Sequence, residues 1–381
     1  MKVKKYTLYN AVFFLFFFLL SLAYNSLLVS KCELYSCGSV YLPDSQIYMN
    51  LYKTSSIELA SWNVSGISMI YGITSEIVDM LYINILLVAI SNSFIASLMY
   101  KRFGYNSWLA SFILYCNPAI VYYSQTPTKE VLLYFLTSIS IYVFFYRKKI
   151  LLIPILIFGG LVRYQFFIST FSSYCGTLLN RNRLQTVRFF IFALLVSLPF
   201  IYKLPLLEGY LNAEALFLEQ SVGSGGVGQY LRSIERTIPL VGIITFPIKS
   251  LQNILEPFLG LSLYQGEHLN YYGIKDALSF FFFGWYYIFS LISLLAVIVV
   301  GKKKREDDES FVIFLMLTSF ILVSMNAFVH GRYIFNILPV VVIFYYSGID
   351  VPNRKFVLRG TSALFVFAAT MYLSRFIKLL T

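Results

Sequence analysis

The sequence predicts an all-α polytopic membrane protein with about 10–11 transmembrane helices, forming a single integral membrane domain over residues 1–381. Three observations predict this fold class. Hydrophobic residues make up 58% of the chain and its mean hydropathy is +0.72, charged residues are only 13%, and several apolar runs are about as long as a helix that crosses a bilayer. A soluble core does not need this much apolar surface.

The apolar runs define the predicted spans in order. The first, 11–30, follows Lys2, Lys4 and Lys5 and has the charge order of a signal peptide, but no A-x-A-like cleavage site follows it. We therefore expect this helix to be retained. The other predicted spans are 78–100, 106–123, 130–146, 187–206, 277–300, 310–329, 333–349 and 360–379.

The apolar stretch 150–178 is long for one span and short for two. Gly159 and Gly160 interrupt it, and Arg163 lies in its middle. Basic residues mark cytoplasmic loops, and a single crossing here would put every later basic cluster outside. We therefore predict a short broken helical hairpin that returns to the cytoplasmic side.

This topology explains the net charge of +12. With the N-terminus cytoplasmic, most Lys and Arg residues fall on the cytoplasmic side, so the positive excess is an orientation signal. It gives no reason to expect a nucleic-acid partner. Two large segments fall outside: a first loop, 31–77, and a larger loop late in the chain, 207–276. Whether 237–265 holds interfacial helices or a pair of spans stays open.

Arg163 and Glu130 are two candidate site residues. An ionised arginine within an apolar stretch is costly unless it is paired or lines a wet cavity. Arg163 is therefore a candidate anion ligand, and the alternative is a structural ion pair with an acid such as Glu130. Lys129 and Glu130 open the fourth predicted helix, where Glu130 is either functional or simply favoured by the helix dipole.

Other polar residues fall in the predicted outer loops and links. Asp44 is a candidate for orienting or deprotonating a sugar hydroxyl, or else an ordinary turn residue after Pro43. Arg232 and Arg236 are one helical turn apart, so both can face one anion. His268 is a weaker candidate base.

His330 and Arg332 flank a glycine between two apolar runs on the predicted outer face. The guanidinium of Arg332 presents donors suited to phosphate oxygens, whereas a snorkelling interfacial arginine is the alternative.

The cysteines and histidines predict no metal site and no cofactor. Cys32 and Cys37 are close together in an outer segment, where a disulfide is an option. Cys116 and Cys175 look like apolar membrane residues. With two histidines and no Cys/His ligand spacing, a zinc site is not expected.

The chain resembles the O-antigen polymerases of the Wzy type. The layout is similar over the whole chain, and the local similarities are TPTKE at 126–130, Arg163 after a glycine-rich break, and GRYIFNILPV at 331–340. A Gly-Arg-Tyr before an apolar helix also resembles GT-C-fold glycosyltransferases, so a GT-C-like architecture is kept as a second option.

The resemblance implies a glycosyltransferase of the bacterial inner membrane whose active face is periplasmic. It would transfer a growing glycan from undecaprenyl pyrophosphate to the next lipid-linked repeat unit, with a flippase and a chain-length regulator as expected partners. Arg163, Arg332, Arg232, Arg236 and Lys129 would hold pyrophosphate, and Asp44, His330 or Glu130 would activate the acceptor hydroxyl. The alternatives are a GT-C-type enzyme that adds one sugar from a polyprenyl phosphate, and a transporter.

Overall fold

A computed structural model gives the structure of the protein over most of its predicted helices. It describes residues 5–35, 62–75, 77–104, 108–116, 118–125, 128–178, 264–265, 268–269, 307–324, 335–348 and 351–380, and the single positions 188, 289 and 292. The predicted spans 187–206 and 277–300 therefore lie almost wholly outside the described residues, as does most of the predicted loop 207–276.

The described elements are helical except for one short strand pair. Strands β1 (Tyr264–Gln265) and β2 (His268–Leu269) pair antiparallel. In chain order the helices are α1 (Lys5–Tyr35), α2 (Trp62–Ser75), α3 (Met80–Phe103), α4 (Trp108–Tyr115), α5 (Pro118–Tyr123), α6 (Lys129–Phe145), a 3₁₀ turn (Lys149–Leu151), α7 (Leu152–Val162), α8 (Tyr164–Leu178), α9 (Asp307–Ser324), α10 (Leu338–Gly348) and α11 (Val351–Leu380). The predicted helical class is confirmed for this part of the chain.

Among the described residues, two helices are long and apolar enough to cross a membrane by length and composition. They are Thr7–Ser26 within α1, 20 residues long, and Met80–Arg102 within α3, 23 residues long. They are candidate membrane spans, and the larger number of spans stays a prediction.

Helix α3 begins and ends with well-formed caps. The Asp79 carboxylate accepts a hydrogen bond from the Leu81 N–H at 2.8 Å, which satisfies a donor of the first turn. Gly104 ends the helix with φ 68°, a left-handed conformation that glycine adopts without steric cost. Lys101 and Arg102 in the last turn suit the negative end of the helix dipole.

The predicted span 106–123 is divided into two short helices. Helix α4 ends at Tyr115 and α5 begins at Pro118. Proline has no N–H and its ring clashes with the preceding turn, so it interrupts a helix but fits the first position of the next one. The segment predicted near 106–123 is therefore not one uninterrupted helix, because a second helix begins at Pro118.

Most residues of helix α6 are buried, and the segment 149–174 contacts it near both of its ends. At one end, the Lys149 ammonium lies 5.0 Å from the centre of the Phe144 ring, and the Tyr174 ring lies 6.4 Å from the same ring. At the other end, Arg163 contacts Glu130. Segment 150–178 is therefore two helices that meet at Arg163, next to the first turn of α6.

Helices α8 and α9 pack along a seam of small and hydroxyl-bearing residues. The hydroxyls of Ser173 and Thr318 are 3.3 Å apart, and a Cβ on Gly176 would lie 3.0 Å from the Phe314 ring. Small residues of this kind allow membrane helices to approach closely. The seam connects the early helices to the later part of the chain.

Candidate functional site

The Glu130 and Arg163 side chains form an ion pair at one end of the helical bundle. The Arg163 Nη2 lies 3.1 Å from the Glu130 Oε1 and donates a hydrogen bond to it. The carboxylate side chain is 5% exposed and the guanidinium side chain is 15% exposed. Both side chains are thus largely buried, and the carboxylate is buried more completely than the guanidinium.

Glu130 has this position because α6 begins immediately before it. Thr128 is the N-cap residue in an extended conformation, and its hydroxyl donates to the Tyr123 carbonyl at 3.5 Å instead of capping the helix. A carboxylate in the first turn is favoured by the helix dipole. Tyr71 of α2 and Arg163 at the end of α7 lie next to the same turn, and Glu130 is buried there.

Arg163 has its position because α7 cannot continue into α8. Its backbone is extended, with φ −160° and ψ 119°, and its N–H donates to the Gly159 carbonyl at 2.8 Å. A Cβ on Gly159 would lie 2.1 Å from the Phe166 ring, so only glycine leaves room for this ring to pack against α7. The break turns the chain and points a long cationic side chain at α6.

A buried hydrogen-bonded group borders the ion pair. The Tyr71 hydroxyl of α2 donates to the Asn84 Oδ1 at 2.5 Å, and the Asn84 Nδ2 donates to the Ser124 carbonyl at 3.0 Å. Burial, with a further contribution from the negative charge of Glu130, raises the pKa of Tyr71 well above its usual range. Tyr71 is therefore a neutral hydroxyl beside the carboxylate at any physiological pH.

Close packing holds α2 against this site. A Cβ on Gly66 would lie 2.8 Å from the Val162 Cγ2, so α2 and the end of α7 are in direct contact. Beneath the ion pair is an apolar cluster drawn from α2, α6, α7 and α8. Its buried members are Ile67, Tyr71, Leu132, Leu133, Leu136, Val162 and Phe166.

This setting determines what the two charges can do. An unpaired charge above an apolar cluster costs several kcal/mol, so each group stabilises the other. Arginine binds phosphate oxygens through two parallel N–H donors, and a carboxylate near a hydroxyl can accept its proton. The same two side chains therefore suit a structural pair and an anion-binding, proton-accepting site.

The opposite end of the bundle carries a basic cluster, defined by Lys101, Arg102, Arg147 and Lys148. Arg102 lies 3.5 Å from Asp308 of α9, and the Lys101 ammonium lies 5.7 Å from the centre of the Tyr146 ring. Burial raises the pKa of Asp308, and the nearby charges of Arg102 and Arg147 partly oppose this. The basic cluster and the Glu130–Arg163 pair thus lie at opposite ends of α6.

The structure brings two of the predicted site residues into contact. Glu130 and Arg163 are in contact, and Lys129 is half-buried next to Glu130 on α6. His268 is placed in β2 by its backbone. Five predicted site residues and one cysteine of the suggested disulfide lie outside the described residues: Asp44, Arg232, Arg236, His330, Arg332 and Cys37.

Sequence reasoning missed Tyr71 and Asn84. Asn84 lies within the apolar run 78–100, and a buried amide in such a run needs a partner, which is a signal that could have found it. Tyr71 carries no comparable signal, because tyrosine is common throughout this chain.

Comparison with protein-family models, curated proteins and solved structures found no match to this chain.

Proposed function

We propose that this chain polymerises lipid-linked O-antigen repeat units in the bacterial inner membrane. It would transfer the growing glycan from undecaprenyl pyrophosphate to the next lipid-linked unit on the periplasmic face. The observation that carries this proposal is the contact between Arg163 and Glu130, which combines a phosphate-binding cation with a proton acceptor at one end of the bundle.

A membrane location is supported by the surface of the helices as well as by their length. Large apolar side chains stand exposed on several elements, and such a surface is stable only against lipid or a partner protein. On α1 the exposed apolar residues are Leu8, Val12, Leu15, Phe16, Leu19 and Leu20. Others are Leu86 on α3, Ile153 and Ile157 on α7, and Phe167 and Phe171 on α8.

The two ends of α6 support the proposed orientation of the protein in the membrane. The basic cluster lies at the end that the charge rule assigns to the cytoplasm. The 17 residues of α6 span about 25 Å, close to the thickness of the hydrocarbon layer. Under this orientation the Glu130–Arg163 pair lies near the periplasmic interface, where a lipid-linked pyrophosphate is located.

The proposed reaction uses few groups. Arg163, with Lys129 and the predicted Arg232, Arg236 and Arg332, would bind the pyrophosphate that leaves. Glu130, or the predicted Asp44 or His330, would accept the proton of the attacking hydroxyl. Holding the two lipid-linked substrates in line supplies a large part of the rate enhancement, because a bimolecular step becomes effectively unimolecular.

A gel of surface polysaccharide tests this proposal. A strain lacking the chain should carry lipid A-core with at most one repeat unit, and the wild-type chain should restore the ladder. Arg163→Ala should fail to restore it. Arg102→Ala is the matched control, because Arg102 is also an arginine in an ion pair but lies at the opposite end of the bundle.

Other results would assign a different function. A ladder that persists with shifted steps or a missing sugar would indicate a single-sugar transferase. Loss of all repeat units, with lipid-linked units retained on the cytoplasmic side, would indicate a transporter.

A further inference from the structure

The turn that ends α6 has an arginine in a position where glycine is the usual residue. The Arg147 N–H donates to the Phe144 carbonyl at 3.0 Å, and the Lys148 N–H donates to the Val143 carbonyl at 3.1 Å. This is the hydrogen-bond pattern of a Schellman cap, and Arg147 takes its left-handed position with φ 58°. The left-handed conformation has a steric cost for arginine that glycine avoids, so capping does not explain the arginine.

The end of α3 shows the ordinary solution to the same geometric problem. There the left-handed residue is Gly104, with φ 68°. Among the described residues, Arg147 is the one residue other than glycine with a positive φ. A residue kept in a costly conformation indicates that its side chain has a use outside the turn.

The side chains of this turn are part of the exposed surface of the basic cluster. Arg147 and Lys148 are exposed, and the described residues form no ion pair with either of them. Lys101 at the end of α3 is also exposed, and its ammonium lies 5.7 Å from the centre of the Tyr146 ring, next to Arg147. Three cations thus meet at one exposed turn.

The acids near this turn do not neutralise it. The first turn of α9 carries Asp307, Asp308 and Glu309. Asp308 lies 3.5 Å from Arg102, so these two charges compensate each other. The remaining cations of the basic cluster, with Lys149 beside them, outnumber the remaining acids of that turn. This end of the bundle therefore keeps a positive charge that suits an anion.

An exposed apolar line begins at the same turn and continues along α7. Ile150, Ile153 and Ile157 are 76%, 57% and 60% exposed. Their spacing of three and four residues places them on one side of the helical segment. Tyr146, which is also exposed, has the amphipathic ring that is enriched at membrane interfaces. A cationic turn beside an apolar line fits a molecule with an anionic head and an apolar tail.

We propose that the turn 146–148 and the exposed side of α7 bind an anionic phospholipid of the cytoplasmic leaflet. The lipid phosphate accepts hydrogen bonds from Lys101, Arg147 and Lys148, and the planar fork of the arginine suits two phosphate oxygens. The acyl chains lie along Ile150, Ile153 and Ile157. The inference rests on the membrane location and orientation in the proposed function, and it does not depend on the glycan chemistry.

Lipid titration of the full-length chain in an uncharged detergent tests the site. Native mass spectrometry counts the bound phosphatidylglycerol, with phosphatidylcholine as the zwitterionic reference. The wild-type chain should bind phosphatidylglycerol more tightly than phosphatidylcholine. Arg147→Gly and Lys148→Gln should each weaken phosphatidylglycerol binding about fivefold, which corresponds to the loss of one basic residue beside an anionic lipid. Phosphatidylcholine binding should not change.

Two controls separate lipid contact from folding and from total charge. Glycine suits the left-handed position, so Arg147→Gly should unfold at the same temperature as the wild type or higher, although it binds the lipid more weakly. Arg359→Gln removes an exposed cation on α11, on the same predicted side of the membrane. It should bind phosphatidylglycerol as the wild type does.

The lipid site and the proposed function can fail separately. Equal binding of the two lipids, or equal losses in Arg359→Gln and Lys148→Gln, overturns the lipid site even if the polysaccharide ladder depends on this chain. Displacement of phosphatidylglycerol by inorganic phosphate at the same concentration also overturns it, because the site then selects a soluble anion. Selective loss of phosphatidylglycerol binding in Arg147→Gly supports the site even if the gel assigns the chain another activity.

Discussion

The Glu130–Arg163 ion pair is the part of the structure to which the proposed function assigns anion binding and proton transfer. Both are largely buried, and they are held 3.1 Å apart above an apolar cluster. Removing one partner leaves the other charge without compensation, whereas removing both relieves that cost. Stability measurements on single and double variants therefore separate what the pair does for folding from what it does for activity.

The first prediction concerns these variants. Arg163→Ala should lower the free energy of unfolding by about 3 kcal/mol, and Glu130→Ala with Arg163→Ala should lower it by clearly less. Reversible unfolding in detergent micelles measures both. If the single and the double variant lose the same free energy of unfolding, Glu130 and Arg163 do not stabilise each other.

A second prediction at the residue scale concerns the glycines before the break. Gly159→Ala should destabilise the protein by about 1–3 kcal/mol, because its Cβ would lie 2.1 Å from the Phe166 ring. Gly160→Ala is the control, since its Cβ would make an ordinary contact with Phe167 at 3.5 Å. Gly159→Ala should have a lower thermal unfolding midpoint than Gly160→Ala. Similar midpoints would contradict the close packing of Phe166 on Gly159.

At the scale of elements, the site depends on how α2, α6 and the α7–α8 junction meet. The sequence predicted an interruption of 150–178 at Gly159–Gly160, whereas α7 continues through both glycines and ends at Val162. The sequence also offered Glu130 as the alternative structural partner of Arg163, because a charge in an apolar stretch is costly unless it is paired. The sequence did not predict that α2 lies next to the end of α6 that carries Glu130. The contact between Gly66 and Val162 depends on tertiary packing of segments that are far apart in the chain.

A third prediction concerns the contact between α3 and α9. Burial raises the pKa of Asp308, so the folded state binds its proton more readily than the unfolded state does. The protein should therefore gain stability as the pH falls through the interval between the ordinary aspartate pKa and this raised value. Asp308→Asn should remove that part of the pH dependence, which unfolding midpoints across a pH series would measure. If Asp308→Asn shows the same pH dependence of its unfolding midpoints as the wild type, this prediction is wrong.

At the scale of the whole molecule, composition predicted an all-helical membrane protein. The positions of Lys and Arg along the chain predicted its orientation in the membrane. The helical class follows from long apolar runs, and α1 and α3 have the length and composition of spans. The division at Pro118 escaped the prediction because hydropathy is averaged over a window and does not register one missing N–H. The other predicted site residues, Asp44, Arg232, Arg236, His330 and Arg332, lie outside the described residues, so their place relative to Arg163 stays a prediction.

The orientation itself gives a fourth prediction. After replacement of the native cysteines, Ile77→Cys should react with a membrane-impermeant maleimide in intact spheroplasts. Lys148→Cys should react only after permeabilisation. Both positions are exposed, Ile77 between α2 and α3 and Lys148 in the basic cluster. Labelling of both positions from the same side would contradict the proposed sidedness.

The central claim is that this chain joins lipid-linked repeat units and that Arg163 is needed for it. The most direct measurement incubates the purified chain in lipid with undecaprenyl-pyrophosphate-linked repeat units and resolves the products by length. The account predicts a series of lipid-linked oligomers with the wild-type chain and with Arg102→Ala, and none with Arg163→Ala. Unchanged repeat units, or the same series with Arg163→Ala, would contradict it.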